Sequence, residues 1–354
     1  MENPYYLISE LISGIDNRRT QDVVRRRFGL ENGTPQTLQE IGDQYNITRE
    51  RVRQIEKNGL DYLLQPGVRE KVRPLEDEIH DYFKQYGELR REDRAFDDLV
   101  CYCFPASQIA ELQKKAEAEL SLCKAALNLV LTLGERFSRY PETDEFHTFW
   151  AVNSSAIQKA ERAVDSAVRY FDKNPKVLKD EELYRVVKSK LPNISDKATF
   201  SYIDASKIID QNRFGEFGLV VWPEISPRGV RDKAYLVFKK AGQPFHFSEV
   251  TNQINEQLPQ NKPAYVQTVH NELIKDPRFV LIGRGIYALA EWGYAPGTVV
   301  DVIRDIIKEK GPMAKGEVVK NVLAKRQIKE NTILINLQNK KAFKKLEDGR
   351  YALV

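Results

Sequence analysis

The stretch TRERVRQIE, residues 48–56, carries side chains suited to recognising a polar, anionic surface. At 100° per residue, a helix here turns Val52 and Ile55 to one side, where they can pack. The opposite side holds only polar and charged side chains: Arg49, Glu50, Arg53, Gln54 and Lys57. Arginine pairs with guanine edges, glutamine with adenine, and glutamate accepts from cytosine. A solvated face of an ordinary amphipathic helix has the same composition, so the neighbouring residues must decide.

The residues before this stretch predict a second helix and a tight turn. In TLQEIGDQY, residues 37–45, Thr37 and Glu40 have the spacing of a capping box, which satisfies free N–H groups at a helix start. Asn46 tolerates the left-handed conformation of a turn, and Thr48 can cap the next helix. Helix, short turn and basic helix together indicate a helix-turn-helix.

The string RRRFGLENGTPQTLQEIGDQYNITRERVRQIEKNGLDYL, residues 25–63, resembles region 4 of the primary bacterial sigma factors, and the likeness extends over about residues 6–66. That family reads the −35 promoter element in the major groove and docks on RNA polymerase. The resemblance implies base contacts at four positions: Arg49, Glu50, Arg53 and Gln54. Four others are expected to contact phosphates: Arg27, Thr37, Arg51 and Lys57. An inert relic or a polymerase-docking surface would preserve the same pattern.

Two departures from the family weaken the parallel. Gly59 is a poor helix former, and Asp61 stands where a phosphate-binding base is common, so we expect reduced affinity. The chain also has no counterpart of the aromatic-rich segment that melts the −10 element, and its region 4-like segment comes first. We therefore expect that it does not initiate transcription alone as a complete sigma factor.

Composition predicts a globular chain of two to four domains, because 30% of its 354 residues are charged and 42% hydrophobic. A net charge of +4 favours local basic faces over a uniformly basic coat. The three cysteines form no CxxC pair and are interpreted as reduced, mostly buried thiols. The start MENPYYLISEL lacks signal-peptide character, and the longest apolar run, residues 125–133, is too short for a membrane span. We expect a cytoplasmic, nucleoid-associated protein without metal, cofactor or membrane contact.

The C-terminal third contains an internal repeat. Residues 267–289 align with residues 331–353 without a gap, matching Phe279 to Phe343 and Gly285 to Gly349. Each copy predicts a helix followed by a hairpin with a glycine turn. Helical patterns at 232–257 and 298–325 precede the copies, each broken by Gly and Pro, and EWGYAPG (291–297) is the expected linker. Three helices followed by a two-stranded hairpin predict a winged helix.

Residues 232–292 also resemble the HARE-HTH winged-helix family, which includes the N-terminal domain of the RNA polymerase delta subunit. Two further segments predict related modules. Helices at about 155–172, 180–191 and 198–210 precede a strand-rich stretch, and helices at about 75–86, 91–101 and 107–134 precede a wing with an acidic tip. That tip holds Glu142, Asp144 and Glu145, and it favours protein contact over phosphate contact.

The predicted fold is mainly α with small β-hairpin wings: an N-terminal helix-turn-helix followed by tandem winged-helix domains. The expected domains are residues 1–66 (helix-turn-helix), 67–152 (helical, winged-helix-like), 153–227 (winged helix), 228–293 (HARE-HTH-like) and 297–354 (C-terminal winged helix). Candidate DNA contacts in the last two are Gln267, Asn271, Lys275, Arg284, Asn336, Lys340 and Lys344, with Asn339 and Lys345 nearby. Protein docking is the alternative for these modules, and His246 and His270 are expected to pack.

These features predict a bacterial transcription regulator, an activator or a repressor, that binds double-stranded DNA and contacts RNA polymerase. The alternative is a delta-like polymerase accessory protein that acts mainly by protein contact. A nuclease is disfavoured because no acidic residue stands two before a lysine anywhere in the chain. Walker A and HExxH motifs are also absent from the sequence, so we expect no enzymatic activity.

Overall fold

The computed structural model describes residues 2–104, 115–258, 263–294, 297–326 and 328–354. These residues are mainly helical, with small antiparallel sheets. They divide into two compact units, unit 1 (Met1–Val220) and unit 2 (Val221–Val354). Among the described residues, every helix is too short or too polar to cross a lipid bilayer.

Unit 1 begins with four helices: α1 (Pro4–Ser13), α2 (Arg18–Phe28), α3 (Leu38–Tyr45) and α4 (Arg49–Leu63). Its central part contains α5 (Pro66–Gln85), β1 (Leu89–Arg91), α6 (Glu92–Cys103), α7 (Lys115–Leu133), β2 (Ser138–Tyr140) and β3 (Phe149–Ala151). Its last part contains α8 (Ser154–Lys173), β4 (Leu178–Lys179), α9 (Asp180–Lys188), α10 (Asp196–Asp204), β5 (Ile209–Gln211) and β6 (Glu216–Leu219).

Unit 2 contains two similar successions of elements. The first has α11 (Val230–Ala241), β7 (Phe245–His246), α12 (Phe247–Gln257), α13 (Val266–Lys275), β8 (Phe279–Leu281) and β9 (Ile286–Leu289), followed by a 3₁₀ turn (Ala290–Trp292). The second has α14 (Val299–Lys310), α15 (Lys315–Lys325), α16 (Glu330–Leu337), β10 (Phe343–Lys345) and β11 (Tyr351–Leu353).

The same topology recurs along the chain. Three antiparallel sheets have the strand orders β1-β3-β2, β4-β6-β5 and β7-β9-β8, so the last strand of each set lies in the middle. The fourth set pairs β10 with β11, and a bridge between Met313 and Tyr351 stands in the place of the first strand. Each set therefore places one helix before the first strand position and two helices after it.

Strand register confirms the internal repeat in unit 2. Phe279 pairs with Leu289, and Phe343 pairs with Leu353, as the sequence alignment predicts. Gly285 and Gly349 have φ angles of +72° and +85°, which favour glycine at both turns. The predicted helix breaks are also present, since α11 ends before Gly242 and α14 ends before Gly311. The assignment of these modules as winged helices stays a prediction.

The first four helices share a core with the segment that follows them. Phe28 and Leu63 belong to the same buried apolar cluster as Phe83, Leu129 and Trp150. A second, smaller cluster between α2, α3 and α4 consists of Val23, Ile41, Val52 and Ile55. The helix-turn-helix is therefore supported on one side by α5, α6 and α7.

A buried arginine joins the central and last parts of unit 1. Arg90, on β1, is 4% exposed and donates to Asp98 (2.8 Å) and to Asp204 at the end of α10 (3.5 Å). Burial raises the pKa of the Asp204 carboxyl, against the lowering effect of Arg94, Arg90 and Arg91. The hydroxyl of Ser201 on α10 also donates to the carbonyl of Leu89. These bonds hold α10 against the β1-β3-β2 sheet.

The predicted acidic wing lies against the chain that follows α10. Glu142 forms an ion pair with Lys207, and the N–H of Lys207 donates to the carbonyl of Glu145 (2.7 Å). These contacts draw the chain out of helical geometry, so the helix predicted for 198–210 ends at Asp204 and Ile209 enters β5. The acidic tip has a partner within its own unit.

Two predicted segments lie partly outside the described residues, and one prediction is wrong. Residues 107–114 of the predicted helix at 107–134, and Ala295 and Pro296 of the predicted linker, lie outside the described part of the chain. All three cysteines are free, but the expectation that most are buried is wrong: Cys101 is exposed, Cys103 half-buried and only Cys123 buried.

Candidate nucleic-acid interface

Helix α3 begins at the predicted capping box. The hydroxyl of Thr37 accepts from the N–H of Glu40 (3.2 Å), and the carboxylate of Glu40 accepts from the N–H of Thr37 (2.6 Å). This backbone hydrogen bond from Thr37 lowers the pKa of Glu40. The reciprocal bonds fix where α3 starts and therefore where its C-terminal turn falls.

The turn between α3 and α4 also has the predicted conformation. Asn46 has φ 54° and ψ 44°, in the left-handed region, and Thr48 caps α4 by accepting from the N–H of Arg51 (3.2 Å). The N–H of Ile47 donates to the carbonyl of Gly42 (3.0 Å). A Cβ atom on Gly42 would lie 2.8 Å from the carbonyl oxygen of Ile47, so this close approach requires glycine.

Packing of α4 leaves its polar side free. Val52 and Ile55 are buried against Val23 and Ile41. The side chains predicted to contact bases are all exposed: Arg49, Glu50, Arg53 and Gln54. Arg51 and Lys57, predicted phosphate contacts, are exposed as well. The structure thus brings the predicted base-contacting residues together on one accessible face of α4.

The side chains on this face pair with one another. Arg53 donates two hydrogen bonds to the carboxylate of Glu50 (2.8 and 2.7 Å), and the amide of Gln54 donates to the same carboxylate (3.4 Å). Arg51 donates to the side-chain oxygen of Gln54 (3.1 Å). The hydrogen bond from Arg53 lowers the pKa of Glu50 and raises that of Arg53. Exposed pairs of this kind contribute little stability, so a ligand can replace them at small cost.

Two predicted phosphate contacts hold the motif together in this structure. Arg27 donates to the carboxylate of Glu56 on α4 (3.2 Å) and to the carbonyl of Gln36 (3.1 Å). Thr37 caps α3, as described above. Both side chains therefore position the helices, and their contact with phosphate stays a prediction.

Sequence reasoning missed a polar cluster that fixes α2 against α3. The hydroxyl of Tyr45 donates to the carboxylate of Asp22, which also accepts from Arg26 (2.7 Å). The guanidinium of Arg19 lies 4.6 Å from the centre of the Tyr45 ring. Burial raises the pKa of Asp22, but the bonds from Arg26 and Tyr45 outweigh it, and the net shift is downward. Only the i,i+4 spacing of Asp22 and Arg26 was a signal in the sequence.

Gly59 does not interrupt α4, which continues to Leu63. The helix crosses α2 at this point: a Cβ atom on Gly59 would lie 2.5 Å from a methyl group of Val24 and 3.1 Å from that of Thr20. The glycine therefore permits a close helix contact. Gly59 therefore does not interrupt α4 as a poor helix former could, and its small size allows α4 to pack against α2.

The candidate DNA-contacting residues of unit 2 differ in their exposure and hydrogen bonding. On α13, Gln267, Asn271 and Lys275 are exposed, and Gln267 donates to Asn271 (3.3 Å). Arg284 is exposed at the β8–β9 turn. In the second copy, the half-buried Asn336 donates to the carbonyl of Thr332. The other second-copy candidates are exposed: Asn339, Lys340, Lys344 and Lys345.

Three exposed apolar side chains on and beside α13 escaped the sequence analysis. Tyr265, Val266 and Ile274 are 68%, 43% and 61% exposed. The two histidines of this module, by contrast, pack as predicted: His246 and His270 each lie with their ring centre 4.2 Å from that of Phe247. Ile274 stands seven residues after Gln267 and therefore on the same side of α13, so this face is polar only in part.

Comparison with known proteins identifies the N-terminal motif. The family model "Sigma-70, region 4" matches residues 17–63. The chain is 46% identical over 55 residues to RNA polymerase sigma factor SigA of Clostridium acetobutylicum, a match that covers 16% of this chain and 15% of that protein.

Two other relatives match similarly short parts of the chain. RNA polymerase principal sigma factor HrdD of Streptomyces griseus is 45% identical over 53 residues, which is 15% of this chain and 16% of the relative. RNA polymerase sigma factor SigA1 of Synechococcus elongatus is 52% identical over 48 residues, which is 14% of this chain and 12% of the relative. The chain thus spans about a sixth or less of the length of these relatives. Residues 17–63, which include α2, α3 and α4, form a sigma-70 region 4 domain.

Proposed function

We propose that this protein is a DNA-binding transcription regulator that reads a −35-like element through α4. The observation that carries the proposal is the exposed face of α4 within a region 4 domain. Arg49, Arg53 and Gln54 supply donors for base edges in the major groove, and Glu50 supplies an acceptor. Arg51 and Lys57 flank them as phosphate contacts, which set register without reading sequence.

The proposal extends to RNA polymerase as a partner and to activation or repression as outcomes. The relatives that match region 4 are RNA polymerase sigma factors by name. A regulator that carries this domain can recruit polymerase to a −35-like element or occupy the element and block it. We propose no catalytic step for the chain, and its place of action is the cytoplasm, at the nucleoid.

We further propose that the four helix-and-sheet modules are winged helices, the one at 228–293 of the HARE-HTH type. The strand order common to the three three-stranded sheets, and the Met313–Tyr351 bridge of the fourth module, support this assignment. The proposed domains are residues 1–66, 67–152, 153–227, 228–293 and 297–354. Weak sites linked in this way raise overall affinity by increasing effective concentration.

The test of DNA reading is a gel-shift titration with a TTGACA-type duplex and a scrambled duplex at two salt concentrations. Wild type and Arg53→Ala are compared side by side. The expected result is a loss of about 1–3 kcal/mol of discrimination in the variant, because a bidentate base contact is removed. Equal binding of both duplexes by the wild-type protein, unchanged in the variant, would refute the proposal.

A second function is favoured by a specific observation in unit 2. Tyr265, Val266 and Ile274 are exposed, and Ile274 lies on the same side of α13 as Gln267 and Asn271, where a DNA-binding helix would carry polar groups. This supports a polymerase accessory protein, similar to the delta subunit, that acts mainly by protein contact. Purified RNA polymerase and promoter DNA, offered separately, distinguish the two functions: the accessory protein binds polymerase tightly and naked DNA hardly at all.

A further inference from the structure

We propose that the groove between α8 and α9 is a second DNA-backbone site, which binds phosphates without reading sequence. This inference rests on the proposed function, because it adds a non-specific contact to the specific one of α4. Four cations line this α8–α9 groove: Arg162, Arg169 and Lys173 of α8, and Lys190 just after α9. All four are exposed. The groove has one acidic residue, Asp165.

The cations of this groove form no ion pair with described residues, and the same is true of Arg49 and Lys57 on α4. Within the described residues, no carboxylate lies within ion-pairing distance of Arg162, Arg169, Lys173 or Lys190. Two other grooves of the same unit also contain cations, and all of these except Arg73 are paired with acids. Those pairs are Arg27–Glu56, Lys124–Asp97, Arg139–Glu92, Arg69–Glu135 and Arg136–Asp77.

The spacing of the α8 cations matches a nucleic-acid backbone. From Arg162 to Lys173 the helix rises about 16 Å at 1.5 Å per residue. One strand of DNA carries a phosphate for each ~3.4 Å of its axis, so a segment of that length presents about five phosphates. Three cations in a row can therefore each meet a separate phosphate. The hydroxyl of Ser166, between Arg162 and Arg169, adds a neutral hydrogen-bond donor.

Tyr170 and Val186 line the groove together with the cations, and it is the charge of the groove that favours DNA over an apolar protein segment. On α8 the buried side is formed by small residues and Phe171, and the exposed large apolar side chains of the described chain lie elsewhere. A protein interface core is normally apolar, with few charges. A row of unpaired cations fits a polyanion, whose counterions are released on binding.

The experiment uses the full-length chain and the triple variant R162Q/R169Q/K173Q. Glutamine keeps helix propensity close to that of arginine and lysine, so α8 should persist. The matched control is K84Q/K124Q/R136Q, which removes the same charge from cations that already have acidic partners. Affinity for a TTGACA-type duplex and for a scrambled duplex is measured at about 50 and about 200 mM salt.

The expected result is a loss of affinity for both duplexes by the same factor, with a salt slope about 2.7 units shallower than that of wild type, or about 0.9 for each lost cation. The factor by which wild type binds more tightly than the variant should then be about 40-fold smaller at about 200 mM salt than at about 50 mM salt. The control variant should keep a slope near that of wild type. A triple variant that matches the control would overturn the proposal. Should the triple variant unfold, Arg169→Gln alone must lower the slope by about 1.

The two proposals fail in distinguishable ways. Loss of discrimination between the duplexes tests α4, whereas the salt slope of the triple variant tests the α8–α9 groove. Discrimination that depends on Arg53, with an unchanged slope in the triple variant, refutes the groove and leaves the proposed function intact. A reduced slope without any discrimination refutes sequence reading and supports the groove. Absence of binding to either duplex refutes both.

Discussion

Helices α4 and α13 have similar roles in the sequence-based prediction, but their outward faces differ in chemistry. The outward face of α4 is entirely polar, with the Arg53–Glu50 pair at its centre. The face of α13 combines Gln267 and Asn271 with exposed Ile274. The two helices therefore present different side-chain chemistry. The partners proposed above, nucleic acid for α4 and protein for α13, follow from this difference.

The largest effect is expected where the two helices are alike, on their buried sides. Ile55→Ala on α4 and Leu273→Ala on α13 should each lower the free energy of unfolding by about 2–5 kcal/mol, because each opens a cavity in a packed core. Urea unfolding followed by circular dichroism measures this. The outward controls Gln54→Ala and Asn271→Ala should change it by less than about 0.5 kcal/mol. Outward variants as costly as the core variants would contradict this division of faces.

A smaller effect is expected at the helix crossing. Gly59→Ala should destabilise the protein by about 1–3 kcal/mol, although alanine favours a helix, because its Cβ would overlap Val24. The matched control is Gly316→Ala in α15, where nothing lies within 4 Å of the new Cβ. That change should stabilise by about 0.5–1 kcal/mol. Thermal melting shows whether each substitution stabilises or destabilises the protein. A change in the same direction at both positions would be inconsistent with close packing of Gly59 against Val24.

The comparison of the two faces can be tested directly by binding. Ile274→Asp should weaken binding to purified RNA polymerase about tenfold, or about 1.4 kcal/mol, because it replaces an apolar side chain of the proposed polymerase contact with a charge. Its affinity for duplex DNA should not change. Arg53→Ala should have the opposite effect. It should reduce discrimination between the −35-like and scrambled duplexes and leave binding to RNA polymerase unchanged. Biolayer interferometry with each partner measures both, and equal loss of DNA affinity in the two variants would remove the distinction.

The smallest effect concerns the charge pair on α4. The pKa of Glu50 is held below its ordinary value of 4.5 by the hydrogen bond from Arg53. A carboxyl group whose pKa is lowered in the folded state adds to the free energy of unfolding. This addition is fully present above the unfolded-state pKa and disappears as pH falls through the folded-state pKa. Stability due to the pair should therefore be constant at neutral pH and decline only below about pH 4.5. In Arg53→Ala, a carbon-detected NMR titration should show the Glu50 pKa return upward, and an unchanged value would rule out the pair in solution.

Local patterns explain what the sequence predicted well. The Thr37–Glu40 capping box, the left-handed Asn46 and the face of α4 each depend on residues within a few positions of one another. The repeat in unit 2 was also readable, because paired residues such as Phe343 and Leu353 recur with their glycine turn. Periodicity and turn chemistry carry this information without knowledge of the tertiary fold.

Contacts between distant parts of the chain explain what the sequence did not predict. The bond from Tyr45 to Asp22 and the close approach of Gly59 to Val24 join helices that pattern analysis treats separately. The end of α10 depends on Lys207 meeting a loop more than sixty residues earlier in the chain. The exposure of Ile274 depends on which side of α13 faces the core. Each of these features can be identified only once the packed structure is known.

The core that α1, α2 and α4 share with α5, α6 and α7 has a consequence for geometry on a promoter. Because Leu63 and Phe28 pack with Phe83 and Trp150, α4 cannot pivot independently of the central part of unit 1. A duplex held by α4 would then dictate the direction in which that part projects, and this direction rotates once per turn, about every 10.5 base pairs. Moving the −35-like element by half a turn would point the supporting helices to the opposite side of the promoter.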